Sequence, residues 1–115
     1  MSVTFADIQA ARQRIEGQVD RTPVRYSRRL SKLTGAEVWI KFDNLHFTGS
    51  FKERGALNRL SQLSAEERKR GVVAASAGNH AQALAYHGGR LDIPVTIVMP
   101  EGTPFTKVDG TRSHG

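Results

Sequence analysis

Apolar residues recur at helical spacing near the start of the chain, at Phe5, Ile8, Ala11, Ile15 and Val19, and this predicts a packing helix over residues 4–19. Thr4 is its candidate N-cap, with Asp7 at the third helical position. Thr22-Pro23 breaks the pattern, Val24 to Tyr26 reads as a short extended piece, and a small helix from Ser27 to Leu33 closes at Gly35. Glu37 to Phe42 is rich in strand formers, with Val38, Ile40 and Phe42 on one side. A loop from Asp43 to Gly49 delivers a second helix, Phe51 to about Leu63. Ser64 and Glu67 form a capping-box pattern for a short helix through Arg70, which Gly71 ends.

The second half repeats a strand-then-helix rhythm. Val72 to Ala75 reads as a short buried strand that runs into Ser76-Ala77-Gly78-Asn79-His80 and a helix through about Arg90. Gly88-Gly89 and Asp92-Ile93-Pro94 punctuate the next turn. Val95 to Met99 is a third apolar strand, and Pro100 to Pro104 leads into a last helix around Phe105 to His114. Three strands separated by helices predict an α/β fold of parallel-sheet βαβ units, with right-handed crossovers and helices on both faces.

Composition narrows the class. At 115 residues the chain is one domain at most, and 38% hydrophobic residues supply a modest core. The absence of cysteine excludes a disulfide framework and a thiolate metal site, and is compatible with the cytoplasm. Met1 to Asp7 lack a basic start followed by an apolar run, and no stretch approaches the roughly 18 apolar residues of a membrane span. The expectation is a soluble, unprocessed protein without a membrane partner. A net charge of +6 and the cluster Arg21, Arg25, Arg28, Arg29 and Lys32 raise the question of nucleic acid. Aromatics make up only 7% and do not interleave with the basic residues, and Arg68, Lys69 and Arg70 simply end a helix with an acidic start. A solvated basic face is the better reading. Its potential also suits a phosphate or a carboxylate.

Candidate chemistry gathers at two stretches. In Thr48-Gly49-Ser50-Phe51-Lys52-Glu53-Arg54-Gly55-Ala56-Leu57-Asn58, Ser50 and Glu53 have capping-box spacing and Lys52 falls in the first helical turn. The positive end of the helix dipole disfavours a cation there and favours the neutral, nucleophilic amine, which forms Schiff bases with carbonyl compounds. On position alone the better reading of Lys52 is one more solvated residue among 17 basic ones. Phe51, Gly55 and Ala56 add one flat aromatic and two small residues, which suits a planar ligand close to backbone. In the second stretch a strand, a glycine turn and a helix start place free amides at Ser76 to His80, an arrangement for a carboxylate or phosphate. An ordinary strand-to-helix turn has the same outline, and the full dinucleotide fingerprint is missing. His80 and His87, seven residues apart, invite a metal reading, but no third ligand is evident and no metal is expected. His46 reads as a loop hydrogen-bonding residue.

Ser50-Phe51-Lys52-Glu53-Arg54-Gly55-Ala56 resembles the lysine motif of the fold-type II pyridoxal phosphate enzymes, specifically the threonine/serine dehydratase and serine racemase group. Ser76-Ala77-Gly78-Asn79-His80-Ala81-Gln82 resembles the asparagine loop of the same family, and both motifs occur in family order. The resemblance implies a tryptophan synthase β-like architecture with pyridoxal 5'-phosphate carried on Lys52 and Phe51 beside it. It implies that Asn79 hydrogen-bonds the cofactor ring oxygen, and that Ser76, Ala77, Gly78, Asn79 and His80 bind the substrate carboxylate. Asp43 and His46 stand where the family often has a glutamate and a glutamine. In the racemase branch a serine two before the asparagine is the second acid-base group. Here that residue is Ala77, which cannot move protons, so dehydration and deamination of threonine or serine is favoured over racemisation.

The resemblance covers nearly the whole chain, but family subunits are much longer. Their phosphate cradle, pyridine-nitrogen partner and monovalent-cation site come later in the sequence. Residues 1–115 are therefore expected to be one incomplete domain, the amino-terminal portion of a cytoplasmic homo-oligomeric dehydratase, weakly active or inactive alone. A non-catalytic binding module using the basic surface is the rival from another class.

Overall fold

The computed structural model describes residues 2–115, so Met1 lies outside the described residues. Helix α1 spans Phe5–Ile15, and its N-terminus is the capping box implied by the sequence: Thr4 N–H donates to Asp7 Oδ2 at 2.8 Å and Asp7 N–H to Thr4 Oγ1 at 3.3 Å. The helix stops short of Val19. Only Ile15 of its apolar stripe is buried, and Phe5 and Ile8 are exposed.

Strand β1 (Val24–Tyr26) and strand β2 (Trp39–Lys41) pair antiparallel, with Tyr26 opposite Trp39 and the two rings edge to face at 5.4 Å. This corrects the expectation that the Glu37–Phe42 strand joins a parallel sheet. Between the two strands lies only α2 (Arg28–Thr34), capped by Ser27 and closed by Gly35 at φ 71°. That left-handed residue reverses the chain, and Ser27 N–H to Val38 O at 2.9 Å zips the returning segment onto β1.

The parallel βαβ unit lies in the second half. Strand β3 (Val72–Ala75) pairs in register with β4 (Val95–Val98), Val72 opposite Val95 and Ala75 opposite Val98, and α5 (Asn79–Arg90) crosses between them. Helices α3 (Lys52–Leu60) and α4 (Ala65–Arg70) precede it, and α6 (Phe105–Arg112) follows. The Ser64–Glu67 capping box of α4 forms, and Gly71 ends the helix at φ 79°. Gly88 permits α5 to lie against β4, since a Cβ there would overlap Val95 Cγ2.

The core sits between α3, α5 and one face of the sheet. Ala56, Leu60, Leu63, Ala83, Leu84 and Ile93 are buried together, with Val72, Ala74, Val95 and Ile97 packed against them. Leu60 is fully buried, and burial of such a side chain contributes about 1.5–3 kcal/mol. The other face of the strands is open: Val73 is 74% and Val98 55% exposed. Both strands thus alternate instead of being buried throughout, and among the described residues helices cover one face of the sheet. No helix among the described residues is long and apolar enough to cross a membrane.

Candidate active site

The lysine helix is delivered by a turn whose geometry differs from the capping box implied by Ser50 and Glu53. After a single 3-10 turn at Asp43–Leu45, Gly49 takes φ 72° and donates its N–H to His46 O at 2.8 Å. Phe51 occupies the N-cap position in helical conformation without a side-chain cap. Ser50 Oγ instead accepts from Lys52 N–H at 3.3 Å, and Glu53 reaches five residues back, its Oε1 accepting the Thr48 N–H. The left-handed Gly49 folds Thr48 over the helix start, which puts its amide within reach of a carboxylate on the buried face of α3. Glu53 is 2% exposed.

Lys52 itself is exposed, its Nζ 5.0 Å from the centroid of the Phe51 ring, which is also exposed. Beneath the helix start, Asp43 ties three elements together. It receives Arg54 Nε and Nη2 at 3.2 Å each and the Thr22 hydroxyl at 2.5 Å, with Lys41 Nζ at 3.7 Å. Burial pushes the Asp43 carboxyl up, but the hydrogen bonds from Arg54 and Thr22 and the neighbouring Arg54 and His46 charges overcome it and bring it down to about 2. Asp43 is therefore a fixed anion that anchors Arg54, two residues beyond Lys52.

The second motif is the turn between β3 and α5. Ser76 N–H donates to Val98 O at 3.1 Å, extending the parallel ladder into the motif, and Ser76 Oγ accepts the Gly78 N–H at 3.3 Å. Gly78 is the N-cap, and beyond its chain neighbours no described atom lies within 4 Å of where its Cβ would be. Among the described residues the amides of Asn79, His80 and Ala81 have no protein acceptor, and Asn79 and His80 are exposed. Free amides at the start of a 12-residue helix can receive a carboxylate or phosphate.

The two motifs begin α3 and α5, which make the most extensive helix–helix packing among the described residues. Lys52 and Phe51 lie together, as do Ser76 to His80, but among the described residues no hydrogen bond joins the two groups. Polar side chains of the two helices approach each other elsewhere. His87 is wholly buried, its Nε2 3.9 Å from Glu53 Oε2 and its Nδ1 3.2 Å from Arg90 Nη1. Burial lowers the His87 pKa to about 4, helped by the Arg90 and His46 charges and opposed by Glu53, so the ring is neutral near pH 7.

Glu53 and His87 were not among the site residues expected from the motifs. A signal for Glu53 exists: it shares the spacing of Ala56, Leu57 and Leu60, the buried stripe of α3. A groove of about 620 Å3 between α1 and α3, lined by Ile8, Ile15, Arg54, Gly55 and Asn58, includes neither Lys52 nor the Ser76–His80 turn. The chemistry sits at the helix starts, outside that groove.

An α/β unit with these two motifs in this order defines a class. Residues 15–115 match the family described as "Pyridoxal-phosphate dependent enzyme", and the chain belongs to that family. The cofactor implied by the lysine motif, pyridoxal phosphate, is the family's. Over 113 residues the chain is 51% identical to the L-threonine ammonia-lyase of Thermotoga maritima, covering 98% of this chain and 28% of that protein. It is also 51% identical over 112 residues to the L-threo-3-hydroxyaspartate ammonia-lyase of a Pseudomonas species, covering 97% and 35%. The crystal structure of serine racemase from Dictyostelium discoideum superposes with a TM-score of 0.91 at 41% identity, covering 98% of this chain and 37% of that one. The chain thus spans about a third of the length of the relatives it matches.

The residues present fit part of the cofactor. Lys52 offers an accessible amine beside an exposed ring, and the Ser76–His80 turn is open at Gly78, with unbonded amides behind it.

Proposed function

We propose that this chain supplies the lysine-bearing part of a pyridoxal-phosphate-dependent lyase that converts L-threonine, L-serine or both to a 2-oxo acid and ammonia. The observation that carries the reading is the exposed Lys52 beside Phe51 at the start of α3, on the helix that packs against the α5 of the Ser76–His80 turn. The sequence relatives support it, both described as ammonia-lyases acting on β-hydroxy amino acids.

Lys52 would hold the cofactor through its amine, with Phe51 alongside the ring and Asn79 donating to a ring oxygen. When bound, pyridoxal phosphate supplies an electron sink for charge that develops at the substrate α-carbon. The amides that follow Gly78 orient the amino-acid carboxylate, and the positive end of the α5 dipole favours its charge. The Lys52 amine would remove the substrate α-proton. With the β-hydroxyl lost as water and one water consumed, the net products would be the 2-oxo acid and ammonia, 2-oxobutanoate from threonine. A homo-oligomer is the expected assembly of the longer protein.

Racemisation is the second reading, since solved racemase structures superpose closely. It needs a proton carrier on the opposite face of the substrate, and Ala77 offers a methyl group at the position where the racemase branch has a serine. Competition tests the proposal. L-threonine and L-serine should lower the amount of cofactor that borohydride fixes on Lys52, because the substrate amine displaces the lysine, whereas L-glutamate should not. Equal effects of all three would contradict the assignment, and D-serine formed from L-serine would favour the second reading.

A further inference from the structure

Four buried polar side chains gather under the turn that carries Lys52: His46, Thr48, Glu53 and His87. Both His46 ring nitrogens, Thr48 Oγ1 and His87 Nε2 have no hydrogen-bond partner there. Such a cluster is costly in a core that could have been apolar, which calls for a reason.

The hydrogen bonds assign the parts. A guanidinium only donates, so Arg90, 3.2 Å from His87 Nδ1, requires that nitrogen to be the bare one and puts the ring proton on Nε2. Arg90 is held independently, because the same nitrogen donates to Gln18 O at 3.0 Å. The protonated nitrogen of a neutral ring is therefore the one 3.9 Å from Glu53 Oε2, an approach of a dipole to a charge and not a hydrogen bond, and the other oxygen of that carboxylate takes the buried Thr48 amide. A purely packing histidine would be as well replaced by an apolar ring. Among the described residues the Thr48 amide has no other acceptor, and Glu53 is the residue next to Lys52, so the rotation of the helix start follows where that carboxylate is held.

We propose that Glu53 and His87 form a positioning pair for Lys52, Glu53 clamping the Thr48 amide and His87, with its proton on Nε2, fixing the direction of the Glu53 carboxylate. The pair rests on the reading of Lys52 as the cofactor lysine. It places control of the lysine turn in α5, the helix that also opens with the Ser76–His80 amides.

Nitrogen NMR of the histidine-labelled chain near neutral pH should show His87 in the Nε2-protonated form, and hydrogen exchange should show the Thr48 amide protected beyond its loop neighbours. The opposite tautomer, or an unprotected Thr48 amide, overturns the pair. His87→Gln keeps an N–H at the Nε2 position and His87→Phe removes it. With native circular dichroism in both, selective fixation of pyridoxal phosphate on Lys52 over the other four lysines should fall about tenfold in His87→Phe and persist in His87→Gln. Equal selectivity in the two variants, kept or lost, overturns the proposal. If the unmodified chain shows no selectivity for Lys52, the reading of Lys52 as the cofactor lysine of a site already formed in this chain fails, and the tautomer and the Thr48 protection still decide the pair.

Discussion

Arg54 grips Asp43 through two nitrogens, Nε to Oδ2 and Nη2 to Oδ1, each at 3.2 Å, and so locks the lysine helix to the loop that precedes it. Hydrogen bonds to charged groups contribute about 1.5–3 kcal/mol, so Asp43→Asn should destabilise the fold by that amount in denaturant unfolding at pH 7.

The same contact fixes an acid dependence. The Asp43 carboxyl lies at about 2 in the folded chain against an ordinary 3.8, so its contribution is complete above the ordinary value and is lost as pH falls through the folded one. The loss amounts to about 2 kcal/mol between roughly pH 4 and 2. Unfolding measured across that window should fall less steeply in Asp43→Asn than in the unmodified chain.

His87 acts higher on the pH scale. Its pKa is about 4 when folded and 6.5 ordinarily, so between those values the unfolded chain binds the proton that the folded chain refuses. Stability is full above the ordinary value and declines as pH drops toward the folded one, by on the order of 3 kcal/mol. In His87→Phe the decline over this range should be smaller than in the unmodified chain.

Packing between α5 and β4 depends on the missing side chain at Gly88. Gly88→Ala places a Cβ against Val95 Cγ2 and 3.1 Å from Ile93 O, and should cost about 1–3 kcal/mol by thermal or denaturant unfolding.

Much of this was legible in the residues themselves. The Thr4–Asp7 and Ser64–Glu67 boxes, the Gly35 and Gly71 stops, and the α5 crossover between two apolar strands follow local chemistry, which sequence records directly. Strand direction in the first half was not, because the Trp39–Lys41 segment has the same composition whether it pairs with β1 or a parallel neighbour. What decides is the reversal at Gly35. Glu53 went astray because a capping box and a buried stripe share one position, and burial wins when Gly49 brings another amide within reach. His80 and His87 share a helix face by spacing, yet the first stands at the open start of α5 and the second beneath α3.

Size carries its own consequence. The chain covers 28–35% of the ammonia-lyases it matches, and the resemblance puts the phosphate cradle later in the sequence. Purified residues 1–115 with pyridoxal phosphate and L-threonine should release 2-oxobutanoate weakly or not at all. Robust turnover would contradict this.

The most direct measurement is to mix the purified chain with pyridoxal phosphate, reduce with borohydride and map the modified lysines with their stoichiometry. One cofactor per chain, fixed on Lys52 with little on Lys32, Lys41, Lys69 and Lys107, is the expected result. Labelling spread evenly over the five lysines would contradict the assignment of Lys52 as the cofactor lysine of a site already formed in this chain.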